Sequence, residues 1–181
     1  MNSLSASEEK LLARARSNDR GAIAELYDGY APSIYRYLYR RVGNAQVAED
    51  LTGDVFVKVL EAIRREQVWR ISFRAWLYRI AHNVAVDWFR SHSSDDREAL
   101  DGLRLEADTP GPSAIVAGAW SQAELRSALR KLTENQQQVL VLRFGEGLKA
   151  REVAEILGKS VGAVEALQHR GLAALRDLLE G

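Results

Sequence analysis

Apolar residues recur at spacings of three and four along nearly the whole chain, and no segment sustains the two-residue alternation of a strand. From Gly21 to Val42 this rhythm places Ile23, Leu26, Tyr27, Tyr30, Ile34, Tyr37 and Leu38 on one side. Pro32, inside that stretch, is expected to start a second segment or kink the first. Helices are also predicted over Ala45–Ile63, Phe73–Arg90 behind a Ser72 cap, Ala119–Leu132, Glu134–Phe144, Lys149–Leu157 and Val161–Leu179. Across residues 93–113 the rhythm lapses into an acidic, serine-rich stretch that closes on Pro110-Gly111-Pro112, the composition of a linker. The prediction is an all-α fold. Two small helical domains, residues 1–92 and 114–181, are joined by a flexible acidic linker at 93–113.

The break at Gly158-Lys159-Ser160 is the most informative interruption. Gly158 suits the left-handed conformation that closes a helix, and Ser160 suits the N-cap of the next. Ala163 stands where a full capping box needs Glu or Gln. A three-residue turn with glycine between two helices is the helix-turn-helix spacing, in which the second helix enters a major groove. Val164, Leu167, Gly171, Leu175 and Leu178 make the predicted buried side of that second helix. Gly162, Ala166, His169 and Ala173 lie opposite, flanked by Glu165 and Arg170. Small residues with His and Arg let a helix sit deep in a groove and reach base edges. A plain helical hairpin has the same spacing.

The second unusual stretch is "SFRAWLYRIAHNVAVDWFRSH". Phe73, Trp76, Leu77, Ile80, Val84 and Trp88 are its predicted core side, and Arg79, Asn83, Val86 and Arg90 form another stripe. Asn can bond a base edge, Arg can hold phosphate, and aromatic rings can stack on unpaired bases. An amphipathic helix with a solvated arginine face is the plainer reading. His82, Asp87 and His92 read as surface residues and not as a metal site: each five-residue step turns about 140° around a helix, so the three diverge.

Net charge changes the picture through its distribution. The chain carries 25 Lys+Arg against 25 Asp+Glu. Counted along the sequence, Met1–Ile63 has net charge −1, Arg64–His92 +4, Ser93–Ser113 −4 and Ala114–Gly181 +1. The basic segment coincides with the aromatic stretch, and the acidic one with the linker. There is no cysteine, so disulfide scaffolds and thiolate metal sites are excluded. No run of signal-peptide type and no stretch near the roughly 20 apolar residues of a membrane span is present, and a cytoplasmic location without membrane insertion is expected. Without a glycine-rich phosphate loop, a nucleophile elbow or a paired-carboxylate constellation, no enzyme activity, metal or cofactor is expected.

"AIAELYDGYAPSIYRYLYRRVGNAQVAEDLTGDVFVKVLEAI" with "FRAWLYRIAHNVAVDWFR" resembles the first domain of bacterial sigma factors of the sigma-70 family, extracytoplasmic-function (ECF) type. "LRKLTENQQQVLVLRFGEGLKAREVAEILGKSVGAVEALQHRGLAALRDLL" resembles their C-terminal domain. The resemblance implies a subunit of RNA polymerase that selects promoters. It implies docking on the clamp helices of the largest polymerase subunit through Glu49, Asp50, Asp54 and Lys58. It implies −10 element recognition through Arg74, Trp76, Arg79, Asn83, Asp87 and Arg90, with Asn83 reading a base. It implies −35 recognition as duplex through Ser160, Ala163, Glu165, Ala166, His169 and Arg170. An anti-sigma factor is an expected further partner.

Three departures accompany it. Gly53 sits where the family often has Gln in the clamp-binding helix, and Glu165 and Leu167 sit where many relatives carry basic residues. A stand-alone helix-turn-helix regulator, binding duplex DNA as a dimer, is the alternative; it leaves the basic aromatic stretch unexplained.

Overall fold

A computed structural model of the chain describes residues 6–65, 71–92 and 120–181, without the side chain of Gln122. The predicted linker at 93–113 and most of the basic loop before Ile71 lie outside the described residues. The chain divides into two compact units, residues 1–107 and 108–181. Every element among the described residues is helical.

The first unit is built from α1 (Ala6–Arg16), α2 (Arg20–Val42), α3 (Ala45–Arg64) and α4 (Phe73–Ser91). Side-chain caps mark three of their starts. The Asp19 carboxylate accepts from the Gly21 and Ala22 amides, Asn44 from Val47, and Ser72 from Ala75. Asp19 also takes a bond from Arg14 Nε at 2.8 Å. That bond and the helix amides hold its carboxyl below the usual carboxylate range. Gly43, at φ 70°, closes α2 in the left-handed conformation.

Helix α2 runs unbroken through Pro32, against the expectation of a restart. Proline removes the amide that would bond the Asp28 carbonyl, yet Ala31 and Ile34 on either side are buried. Packing of the surrounding turns outweighs the lost bond. Helix α1 was not singled out by the hydrophobic rhythm. It rests on few apolar anchors, chiefly Leu12 and Ala15, and on Tyr30, whose hydroxyl donates to Glu8 at 2.6 Å. Burial and the Glu8 carboxylate push the Tyr30 phenol well above its ordinary value. The same ring meets Phe73, the first residue of α4, edge-on at 5.5 Å. Tyr37 and Tyr78, both fully buried, meet edge-on at 5.4 Å and join α2 to α4.

The second unit holds α5 (Gln122–Arg130), α6 (Glu134–Leu140), a π-helical segment (Val141–Gly145), α7 (Ala150–Leu157) and α8 (Val161–Glu180). Ser121–Glu124 and Thr133–Gln136 are reciprocal capping boxes that start α5 and α6. The core gathers Ala128, Leu132, Leu140 and Leu175. Against it, α8 lies close to α6 because Gly171 has no side chain: a Cβ there would meet Leu140 Cδ1 at 3.2 Å. Trp120 Nε1 donates to the Leu179 carbonyl and ties the residue before the α5 cap to the end of α8.

Candidate nucleic-acid and protein interfaces

The turn before α8 forms as the sequence implies. Gly158 takes φ 62° and its amide bonds the Ala154 carbonyl, so α7 ends there. Ser160 then caps α8, its hydroxyl accepting from the Ala163 amide at 3.1 Å. The Lys149 amide donates to Glu152 Oε2 at the start of α7, and that carboxylate is buried. Val164, Gly171 and Leu175 face inward as predicted and Leu167 is half-buried. Leu178 is instead exposed, in the last turn of the helix.

On the outer side of α8, Ser160, Glu165, His169 and Arg170 are exposed, and Ala163 and Ala166 are half-buried. Val161 adds an exposed apolar side chain beside Gly162. The structure thus brings the predicted residues together on one broad face with small side chains along its middle. One residue behind that face escaped the sequence reading. Arg143, in the π-helical segment, donates through Nε to Gln168 Oε1 at 2.8 Å and through Nη1 to the Leu148 carbonyl at 2.6 Å. It connects α8 to the loop that leads into α7. Its only sequence signal is an arginine in an otherwise apolar stretch, "VLVLRF".

Helix α4 has a different division of faces from the predicted one. Arg79, Asn83, Asp87 and Arg90 are exposed, and their spacing places them on one side of the helix. Arg90 and Asp87 approach to 3.9 Å, a solvated pair of little energetic weight. Trp76, Ile80 and Trp88, assigned to the core by apolarity, are only half-buried; Tyr78, Ala81 and Ala85 complete the core with Phe73, Leu77 and Val84. By helical geometry Trp76 and Ile80 border the exposed stripe, which gives it an apolar, aromatic edge. Arg74 stands apart, turned about 140° from Arg79 by the helical step. Its guanidinium lies 5.8 Å from the Tyr78 ring, a cation–π distance.

His82 also differs from the surface position expected of it. It is half-buried, with Nδ1 at 3.3 Å from both the Tyr37 hydroxyl and Arg41 Nη1. Arg41 in turn lies 5.8 Å from the Phe89 ring. A basic side chain of α2 therefore joins the edge of the α4 surface. Among the described residues no group of His, Cys, Asp and Glu has the arrangement of a metal site, and no helix is long and apolar enough to cross a membrane.

The third face is on α3. Leu51, Thr52, Val55, Phe56 and Val59 are buried, and Glu49, Asp50, Asp54 and Lys58 are exposed. Gly53 and Val57 lie between the carboxylates, and Gln46 donates to Asp50 Oδ1 at 3.1 Å. The Thr52 hydroxyl is satisfied within the helix by the Ala48 carbonyl. The result is an acidic strip on a helix whose other side is fully committed to packing.

Two family models match the chain: Sigma-70 region 2 over residues 26–94, and Sigma-70, region 4 over residues 128–177. The chain is 38% identical over 172 residues to the ECF RNA polymerase sigma factor BldN of Streptomyces coelicolor. That match covers 94% of this chain and 65% of BldN, so the chain spans somewhat less than two thirds of that relative. It is 31% identical over 180 residues to the ECF RNA polymerase sigma factor SigW of Bacillus subtilis, covering 94% of this chain and 96% of SigW. Among solved structures, CnrH in complex with the cytosolic domain of CnrY is similar at TM-score 0.66 and 26% identity, over 94% of this chain and 95% of that one.

Proposed function

Since the chain belongs to the ECF sigma factors of the sigma-70 family, we propose that it binds core RNA polymerase, recognises −10 and −35 promoter elements and directs transcription initiation. The observation that carries this reading is the presence of two reading faces in two separate units. One is the exposed Arg79–Asn83–Asp87–Arg90 stripe of α4, with an aromatic border at Trp76; the other is the outer face of α8.

Each face suits a different form of DNA. A capped helix of small residues flanked by His169 and Arg170 fits a duplex groove. A stripe of arginines and an asparagine beside a half-exposed tryptophan fits unpaired bases, where rings stack and amides read edges. The roles are divided accordingly: residues 1–92 serve polymerase docking and −10 recognition, residues 114–181 serve −35 recognition, and 93–113 is the tether. Asn83 reads a base, Arg79 and Arg90 hold phosphate, and Trp76 supports the unstacked strand. Arg74 acts from the neighbouring side, through the basic loop that precedes α4. Glu49, Asp50, Asp54 and Lys58 dock on the clamp helices of the largest polymerase subunit.

The neutral net charge suits such a division of labour. Phosphate neutralisation drives non-specific DNA binding, and a neutral chain on its own has little of it. Polymerase supplies the remainder, so promoters are engaged by the assembled enzyme. The protein itself performs no bond chemistry, needs no cofactor, and works in the cytoplasm beside polymerase. An anti-sigma factor is a further partner; the similar CnrH was solved with the cytosolic domain of CnrY. The stand-alone dimeric regulator is disfavoured because it provides no ligand for the α4 stripe or the α3 strip.

The test is multi-round transcription in vitro with core polymerase and a promoter pool, with and without the protein. Promoter-specific transcripts that depend on it are expected. Duplex binding without any polymerase-dependent transcript would overturn the reading in favour of the stand-alone regulator.

A further inference from the structure

Helix α1 lies ahead of residues 26–94, the span of the Sigma-70 region 2 match. Its contacts converge on the two ends of the segment that joins α3 to α4. Arg64, the last residue of α3, donates through Nη2 to Asn18 Oδ1 at 2.9 Å, in the turn that follows α1. Phe73, the first residue of α4, meets the Tyr30 ring edge-on, and the Tyr30 hydroxyl is held by Glu8 of α1. Arg74 comes next, and its guanidinium is near enough to oppose the rise that burial and Glu8 impose on the phenol. The reach of α1 thus takes in Arg64 on one side of the segment, and Phe73 and Arg74 on the other.

Both tethers use a polar group that the local fold does not need. Among the described residues, Asn18 alone combines a side chain with a positive φ, 64°. Its amide bonds the Ala15 carbonyl and the next amide bonds Arg14, which closes α1. Glycine takes that conformation more cheaply. What asparagine adds is Oδ1, the atom Arg64 bonds. At position 30 a phenylalanine would fill the same half-buried space and keep the edge-on contact with Phe73. What tyrosine adds is the bond to Glu8.

We propose that α1 is a positioning element for −10 recognition: through Asn18–Arg64 and Glu8–Tyr30–Phe73 it fixes both ends of the α3–α4 segment, and so aims Arg74 and the start of α4 at the unpaired strand. The proposal rests on the sigma-factor reading. Asn18, Glu8 and Tyr30 touch no DNA in this scheme; they are positioning residues that act through Arg64, Phe73 and Arg74. Long charged side chains such as Arg64 and Arg74 lose freedom when they bind, and that loss costs affinity. A fixed backbone beneath them lowers the cost. The Asn18–Arg64 bond is exposed, so its weight in folding is small, and its value lies in where it holds the end of α3.

The experiment uses the full-length protein assembled with core RNA polymerase, for wild type, Asn18→Gly, Asn18→Asp and Tyr30→Phe, the last also combined with Arg74→Ala. Promoter opening is read by permanganate reactivity of unpaired thymines, core binding by equilibrium titration, and folding by thermal unfolding of each chain. Asn18→Gly relaxes the backbone as it removes the bond, and Tyr30→Phe keeps the ring, so both should unfold near the wild-type temperature and bind core as wild type does. Each should open the promoter about three- to tenfold less, the scale of coupling carried by neighbouring side chains. Asn18→Asp keeps an acceptor for Arg64 and tolerates the same φ, so it should open as wild type does. In the Arg74→Ala background Tyr30→Phe should cost far less than it does alone, because it acts through the start of α4. Wild-type opening by both Asn18→Gly and Tyr30→Phe overturns the proposal while leaving the sigma-factor reading intact. So does a Tyr30→Phe loss that is undiminished beside Arg74→Ala, or a loss in Asn18→Asp equal to that in Asn18→Gly. Opening that falls in step with the unfolding temperature assigns these contacts to stability and overturns it as well. A wild-type protein that opens no promoter with core overturns the sigma-factor reading, and the proposal with it.

Discussion

Gly171 offers the sharpest test of how α8 is held. Its missing side chain lets α8 approach α6: an added Cβ would lie 3.2 Å from Leu140 Cδ1 and 3.4 Å from both Leu140 Cγ and Gln136 Cβ. Comfortable carbon contacts are about 3.5–4.0 Å, so an alanine intrudes by only a few tenths of an ångström. Against that cost stands the helix preference of alanine over glycine, about 1 kcal/mol. Gly171→Ala should therefore change stability by less than about 1 kcal/mol. Gly171→Val is different in kind. Leu140 is wholly buried and cannot yield to a branched side chain without disturbing Leu132 and Leu175. Overpacking of this sort costs about 1–3 kcal/mol. For a unit of this size each kcal/mol lowers the unfolding midpoint by about 4–8 °C. Thermal unfolding followed by circular dichroism, with −35 duplex binding by fluorescence anisotropy, measures both consequences. The valine variant should melt earlier and bind duplex more weakly, because the recognition face moves with the helix. A valine variant with the wild-type midpoint would refute the reasoning, showing that the α6–α8 contact can open without loss.

Three further outcomes are expected. Arg143→Met keeps much of the side-chain bulk but removes both the Gln168 and Leu148 bonds; hydrogen bonds from a charged donor are worth about 1.5–3 kcal/mol, so duplex binding and the unfolding midpoint should fall together. Asn83→Ala, at an exposed helical position, should leave folding and core binding unchanged yet cost about 1–3 kcal/mol in promoter opening, read by permanganate footprinting of unpaired thymines. Acid should loosen the starts of α2 and α5: Asp19 is held below its ordinary value chiefly by Arg14, and Glu124 by the Ser121 amide, so their contribution is present above about pH 4 and is lost as pH falls through the lower folded values. The pair Asp19→Asn and Glu124→Gln should lose less of its unfolding midpoint on acidification than wild type does.

The helices were legible wherever local chemistry decides them. Gly158, Ser160 and Ser72 act within a few residues of themselves, and the structure places each at a helix boundary. What was not legible depends on partners far along the chain. Apolarity assigned Trp76 to the core of α4, whereas Tyr78 occupies it, because Tyr37 of α2 offers an edge-on partner for the tyrosine ring. His82 reads as a surface residue until Tyr37 and Arg41 are brought beside it. Pro32 reads as a break until packing holds α2 together across it. On α4, residue spacing groups Arg79, Asn83 and Arg90, but it also puts Val86 beside them, which the structure leaves half-buried, while Asp87 is exposed. Spacing also shows that Arg74 is off that line, but a motif carried over as a set hides this. Arg143 was missed because its partners, Gln168 and Leu148, are joined to it by a fold that no local pattern encodes.

The strut from Arg143 to α8 has an evolutionary consequence. It takes hold of Gln168, a half-buried residue, and the core takes hold of Val164, Gly171 and Leu175. Val161, Gly162, Glu165, His169 and Arg170 are all exposed and carry no part of that anchorage. With α8 as the proposed reader of duplex, substitutions at these five positions are expected to change what is read without changing how the reader is mounted. A gene copy can drift toward a new promoter vocabulary through stable intermediates, and an engineer can randomise the same five codons with the scaffold held constant.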